Sequence, residues 1–225
     1  NDHQESRSID LVFVLGDIGW YEGLPESKEL LDELDIPYIP IIGDNEVHFG
    51  EEEHFGTVYG PQYERLSETL TDWYKTGGGA VWNPEYDQNS FFYNYAFSHK
   101  GLRLMSIDWA SRSDDPFFGE MGDLHDFDGG TWGFFEEELQ GSEAQKANSM
   151  LIMSHIPMYF GPGSFDEAEA EQVVGLTESY ADRLYANFSG HFHFNAEGPF
   201  GVGTPFDSAG FNYYVTNAVW DDVIA

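Results

Sequence analysis

The sequence predicts a single layered α/β domain. Short apolar, β-branched runs at residues 9–15, 38–42, 148–153 and 184–188 read as buried strands. Stretches of helical pattern stand between several of these runs, and a strand–helix–strand order implies parallel strands with a right-handed crossover. Apolar runs also end in short polar clusters: Gly16-Asp17, Gly43-Asp44-Asn45-Glu46, Ser154-His155 and Gly190-His191-Phe192-His193. In an open α/β sheet, ligands bind beyond the carboxyl ends of the strands. Clusters far apart in the chain can therefore meet along one sheet edge.

Each element follows from local pattern. Residues 9–15 form the first strand, closed by Gly-Asp. Residues 25–34 form a short amphipathic helix with Pro25 near its start and Leu30, Leu31 and Leu34 on its apolar side; Pro37 stops it. Residues 38–42 form the next strand, so this unit brings Asp17 and Asp44 to the same edge. Residues 67–75 read as helical, and Gly77-Gly78-Gly79 then breaks the chain. Residues 90–98 and 102–107 read as a strand pair turned at Lys100-Gly101, with His99 a turn residue. Residues 114–130, rich in Asp, Gly and Phe, read as a loop. A helix begins at 131–139, a strand follows at 148–153, and 167–184 contains a helix. Residues 184–188 and 212–215 are later strands. Without internal repeats or a low-complexity linker, residues 1–225 read as one domain.

Composition narrows the function classes. Nine Lys and Arg face 41 Asp and Glu, a formal net charge of −32. Such a surface disfavours polyanions and excludes nucleic-acid binding through a basic face. It also repels itself at low salt, a repulsion that fades where the Debye length falls to about 3 Å in molar salt. The acidity is thus that of a soluble, halophilic protein of a high-salt environment, secreted or cytoplasmic. There is no cysteine, so no disulfide or thiolate chemistry is available. No apolar run approaches the roughly 18 residues of a membrane span.

The polar clusters carry the chemistry. Carboxylate, amide oxygen and imidazole suit Mn²⁺, Fe and Zn²⁺. Two ions about 3.5–4 Å apart can share a carboxylate and clamp both oxygens of a phosphoryl displacement. Asp17, at the tip of the first strand, suits the bridging place. Asp44 or Asn45 supplies a further oxygen, and His155, His191 and His193 supply imidazoles. Glu46 is either an acceptor that orients a ligand or a solvated carboxylate. Asp108 reads as a turn residue. Asp123, Asp126 and Asp128 sit in an acidic loop with a weak Ca²⁺ pattern, beside His125, a weak candidate for substrate contact. Tyr159 and Phe160 either line the pocket or pack. Asn187-Phe188-Ser189 is a sequon on a buried strand and so not a glycan site.

The ordered set G-D, G-D-N-E, S-H-I-P and G-H-F-H resembles the calcineurin-like metallophosphatase family, over nearly the whole chain from Ile9 to about Val215. That resemblance implies a four-layer αββα β-sandwich and two divalent ions, Mn, Fe or Zn. It implies a phosphoesterase that hydrolyses small phosphate mono- or diesters through a metal-bound hydroxide. By position, Asp17 resembles the metal-bridging aspartate, His155 and His191 ligands of the second metal, and His193 a ligand of the first. Ungapped alignment of Gly43–Glu46 to the family's G-N-H-D/E puts Asp44 at the metal-binding asparagine and Asn45 at the catalytic histidine; a one-residue slide makes Asn45 the ligand. Two departures stand out. The family's D-x-H, expected on an earlier strand, is absent, and Asp2-His3 is a poor substitute, so the chain looks as if it lacks its first strand, which leaves the first ion only Asp17 and His193. Asparagine, moreover, cannot act as a general acid near neutral pH, which leaves His48 and His54 as candidate proton donors to the leaving group. The alternative expectation is a catalytically impaired metal-binding or structural module.

Overall fold

The computed structural model describes residues 9–76, 78–115, 119, 121–158, 163–199 and 212–218. The first two apolar runs become β1 (Val12–Leu15) and β2 (Tyr38–Ile41), joined through helix α1 (Gly23–Asp32). They pair in parallel, from Val12 opposite Tyr38 to Leu15 opposite Ile41. Their carboxyl ends lie side by side, as the strand–helix–strand reading expects.

The later strands are β3 (Thr71–Lys75), β4 (Val81–Asn83), β5 (Gln88–Ser90), β6 (Tyr95–His99), β7 (Leu102–Ile107), β8 (Ser149–Ser154), β9 (Leu184–Ser189), β10 (Ala196–Pro199) and β11 (Asn212–Val215). Seven of them form the central sheet in the order β10-β11-β9-β8-β7-β6-β3, while β4 and β5 make a separate hairpin. The middle of the sheet is parallel: β7 with β8, β8 with β9, and β9 with β11. The turns after β8 and β9 therefore leave the same edge as neighbours.

The helices after α1 are α2 (Asp44–Val47), α3 (Glu52–Thr69), α4 (Thr131–Gln140), α5 (Ser142–Lys146) and α6 (Glu167–Thr177). Side chains alternate across a strand, and the core divides accordingly. Ala96, Met105, Met150 and Ile152 face α4 and α6 through Phe135, Leu139, Ala170 and Val173. Tyr95, Phe97, Leu104 and Met153 face the opposite way, toward Ile39 and Ile41 of the small sheet and Phe55, Tyr59 and Tyr63 of α3. The result is a mixed α/β fold, with a large sheet between helices on one side and a small parallel sheet with its helices on the other. Among the described residues no helix is long and apolar enough to cross a membrane.

Residues 67–75 depart from the helical reading. They are the end of α3 followed by β3. Trp73 stacks on Tyr95 at 5.2 Å between ring centroids, and this cross-strand aromatic contact favours the strand. α3 itself runs through Pro61. Phe55, Tyr59, Tyr63 and Leu66 bury one helical face, and that burial outweighs the hydrogen bond the proline removes. The 90–98 reading shortens to β6, because Tyr93 N–H donates instead to Asp108 Oδ2 at 3.1 Å. Asp108 is a buried structural acid, paired with Arg112 at 2.7 Å.

Candidate metal centre

The Gly16-Asp17 turn leaves β1 in the left-handed region, with φ of 81° at Gly16 and 52° at Asp17. A Cβ at Gly16 would run into the His155 ring, and one at Gly43 into Asp17. These two glycines let three segments close on one another. His191 and His193 also have left-handed backbone, φ 73° and 52°. For residues other than glycine this conformation costs about 1 kcal/mol or more, and such strain gathers at functional sites.

The fold brings Asp17, Asp44, His155 and His191 together. Asp44 Oδ1 lies 2.8 Å from His155 Nε2 and 3.0 Å from His191 Nδ1. Asp17 Oδ1 lies 3.3 Å from the same His155 Nε2. Donor atoms of Asp44, His155 and His191 all fall within 4.8 Å of one another. Ligands held about 2.1 Å from one ion stand about 3.0 Å apart at the cis positions of an octahedron, or about 3.4 Å in a tetrahedron. The observed spacings match that shell.

The protons on His155 sharpen the point. Its Nδ1 is 2.6 Å from Leu15 O. A carbonyl only accepts, so Nδ1 carries the hydrogen and Nε2 of the neutral ring is a lone pair. That Nε2 is buried and makes no hydrogen bond, although two carboxylate oxygens face it. Lone pairs facing lone pairs repel unless a cation or a proton stands between them. Burial disfavours charge on His155, yet Asp17 and Asp44 outweigh it and hold the ring well above its ordinary range. Burial likewise disfavours the Asp44 anion, but the His155 and His191 rings beside it hold it well below the usual carboxylate range. The donor set thus fits a divalent ion.

Glu46 organises this edge. It is fully buried and accepts the backbone N–H groups of Gly43 at 2.7 Å, Asp17 at 2.9 Å and Gly19 at 3.0 Å. It is therefore not a solvated carboxylate: it fixes both turns that carry the aspartates. Burial and the charge of Asp17 push Glu46 up to about 7, against those N–H bonds. Asn187, also fully buried, accepts Met158 N–H at 2.9 Å and donates to Ser154 Oγ at 3.0 Å, which sets the loop around His155. The sequence left Glu46 open between an orienting acceptor and a solvated carboxylate and gave Asn187 no such role, since Asp17, Gly19, Met158 and Ser154 lie about 30 residues away from them.

The other candidates fall as follows. A cavity of about 540 Å³ is lined by Asp17, Asp44, Asn45, His191 and His193, with exposed Trp20 at its wall. Asn45 also donates its backbone N–H to Asp17 Oδ1 at 3.2 Å. His193 lines the cavity but lies outside the close donor group. His48 is not on this cavity; it packs against Gly119. His54 Nε2 is 3.1 Å from Tyr21 O. Asp2-His3, Tyr159 and Phe160 lie outside the described residues.

The chain matches no family model and no curated protein. Its structure is similar to a dimetal phosphatase from Danio rerio, with a TM-score of 0.58 and 15% identity over 96% of this chain and 75% of that one. A putative 5′-nucleotidase from Staphylococcus aureus aligns more loosely, with a TM-score of 0.42 and 10% identity over 86% of this chain and 34% of its own. At 15% identity, the likeness to the dimetal phosphatase shows the fold alone, a mixed α/β architecture with a large central sheet flanked by helices.

Proposed function

We propose that this chain is a metal-dependent phosphoesterase acting on small phosphate mono- or diesters. The observation that carries the reading is the buried Nε2 of His155 facing the Asp17 and Asp44 carboxylates, with His191 beside it. Asp17, Asp44, His155 and His191 would hold one divalent ion, and Asp17 with His193 would contribute to a second. A bound divalent ion supplies Lewis acidity toward a phosphoryl oxygen and lowers the pKa of water. The chain's own residues do the rest. Asn45 on the cavity wall offers an amide N–H to a phosphate oxygen. Glu46 keeps the Asp17 and Asp44 turns fixed, so the charge facing the substrate is preorganised. The cavity of about 540 Å³ suits a small ester.

The test is direct. Protein purified in high KCl is stripped with EDTA, reloaded with Mn²⁺, and assayed on aryl phosphate mono- and diesters. Turnover that requires metal and is lost in Asp44→Ala supports the proposal. Metal binding without turnover favours the second reading, a non-catalytic metal-binding module, which Asn45 in place of a protonatable histidine motivates. No metal at Asp44 defeats both.

A further inference from the structure

The pattern at His155 recurs elsewhere, on residues unconnected with the Asp44 site. Glu85, Asp123 and His125 bring one donor atom each to within 4.8 Å of one another. His125 is completely buried. Its Nε2 is 2.9 Å from Ala110 O, so that nitrogen carries the hydrogen. Its Nδ1 is then a lone pair, makes no hydrogen bond, and lies 3.4 Å from Asp123 Oδ1. A buried lone pair thus faces a carboxylate oxygen. Nearby positive charge is spent elsewhere, since Arg112 is paired with Asp108 at 2.7 Å.

We propose that Glu85, Asp123 and His125 form a separate divalent-cation site that pins the β4–β5 hairpin to the loop after β7. One imidazole and two carboxylates suit Zn²⁺ or Mn²⁺, whereas Ca²⁺ takes oxygen ligands. The local framework is already fixed for such an ion. Tyr86 Oη donates to Asp123 Oδ2 at 2.8 Å, and Asp123 Oδ1 accepts His125 N–H at 2.7 Å. Asn83 Oδ1 accepts Glu85 N–H at 3.0 Å, which turns the hairpin tip toward Asp123. A chain without cysteine has no disulfide with which to hold a two-stranded hairpin, and a metal cross-link between loops performs the same task. The rival occupant is a proton: burial and repulsion from Asp123 push Glu85 up to about 7.

Mn²⁺ is the probe. Crystals of the whole chain grown with Mn²⁺ should give an anomalous peak between Glu85, Asp123 and His125, apart from any peak at Asp44. In solution, His191→Ala weakens the first centre, and titration calorimetry on that background should still find one Mn²⁺ site. Adding Glu85→Gln, an exposed position that tolerates change, should weaken that site at least about tenfold. No anomalous peak, or Mn²⁺ affinity unmoved by Glu85→Gln, overturns the proposal and leaves a shared proton. A peak here with none at Asp44 would sustain this site while defeating the phosphoesterase reading, so the two outcomes are separable.

Discussion

The two carboxylate–imidazole clusters are alike at the ring and unlike around it. His155 and His125 each give one nitrogen to a backbone carbonyl and leave the other bare toward carboxylate. Around His155 two aspartates share the bare nitrogen, and their attraction outweighs burial, so the ring favours positive charge. Around His125 one aspartate faces it more distantly, Arg112 opposes charge, and burial wins, so the ring is held below its ordinary range. The surroundings differ as well. The first cluster opens on a cavity at the ends of parallel strands, on strained backbone. The second joins a hairpin to a loop. The same ring chemistry thus suits a reacting centre in one place and a cross-link in the other.

The largest effect should come from breaking the first cluster at its hub. Asp44→Ala removes the oxygen that His155 and His191 share. We expect kcat/KM on an aryl phosphate to fall about 10³-fold, or about 4 kcal/mol of transition-state stabilisation. Mn²⁺ counted by mass spectrometry should fall with it. Equal activity in the variant would mean that the two clusters do not divide the work as stated.

Glu46→Ala asks whether the first cluster owes its shape to one buried acid. Three backbone N–H groups lose their acceptor, and unsatisfied buried donors of this kind should together cost about 3 kcal/mol in urea unfolding. Glu46→Gln should cost less, because its amide oxygen can keep the Asp17 and Gly43 bonds and lose only that of Gly19. Metal affinity should follow the same order, Glu46→Ala weaker than Glu46→Gln. If stability falls while Mn²⁺ affinity holds in both variants, Glu46 supports the fold and not the metal.

How much of this could be read from the chain depended on whether the signal was local. Gly16-Asp17, Ser154-His155 and Gly190-His191 stand at the ends of apolar runs, so both the parallel sheet and the meeting of those residues were legible. α3 was not, because Gly56, Gly60 and Pro61 interrupt its middle, and only tertiary burial of Phe55, Tyr59 and Tyr63 reveals the helical face. β3 was misread for a related reason: Trp73 and Tyr74 find their partners on other elements, Tyr95 and Phe134. The second cluster gave only a faint pattern, since Glu85 comes from a hairpin about 40 residues before His125. The acidic loop suggested Asp123, Asp126 and Asp128 as partners, yet Asp126 instead accepts from Gln172 Nε2 at 2.8 Å.

Tyr86→Phe sharpens the second half of the comparison. The lost hydroxyl donates to Asp123 Oδ2 and lies 3.1 Å from Ser111 Oγ. A single such bond is worth about 1 kcal/mol. The loss should be read most clearly in EDTA and be partly masked by Mn²⁺, which would hold Asp123 from its other side. Activity should not change. An activity loss would tie the hairpin to the first centre and erase the division of roles.

The smallest effect tests the same point through pH. Burial pushes Glu169 up to about 7, against the Leu124 N–H it accepts, and the charges of Asp123 and Asp166 add to the rise. A carboxyl raised in the folded state keeps its proton there after the unfolded chain has lost it. Its contribution to stability is whole below about 4.5 and is lost as pH climbs to about 7. Urea unfolding in EDTA should therefore show stability falling across that window by on the order of 1 kcal/mol on account of this group, and Glu169→Gln should flatten the slope. Mn²⁺ bound by Asp123 would neutralise part of the repulsion and shallow the wild-type slope by more than that of Glu169→Gln, in which Glu85 is the raised carboxyl left beside the ion. If Mn²⁺ leaves both slopes unchanged while binding elsewhere on the chain, no ion sits beside Asp123, and the likeness between the two clusters ends at their imidazoles.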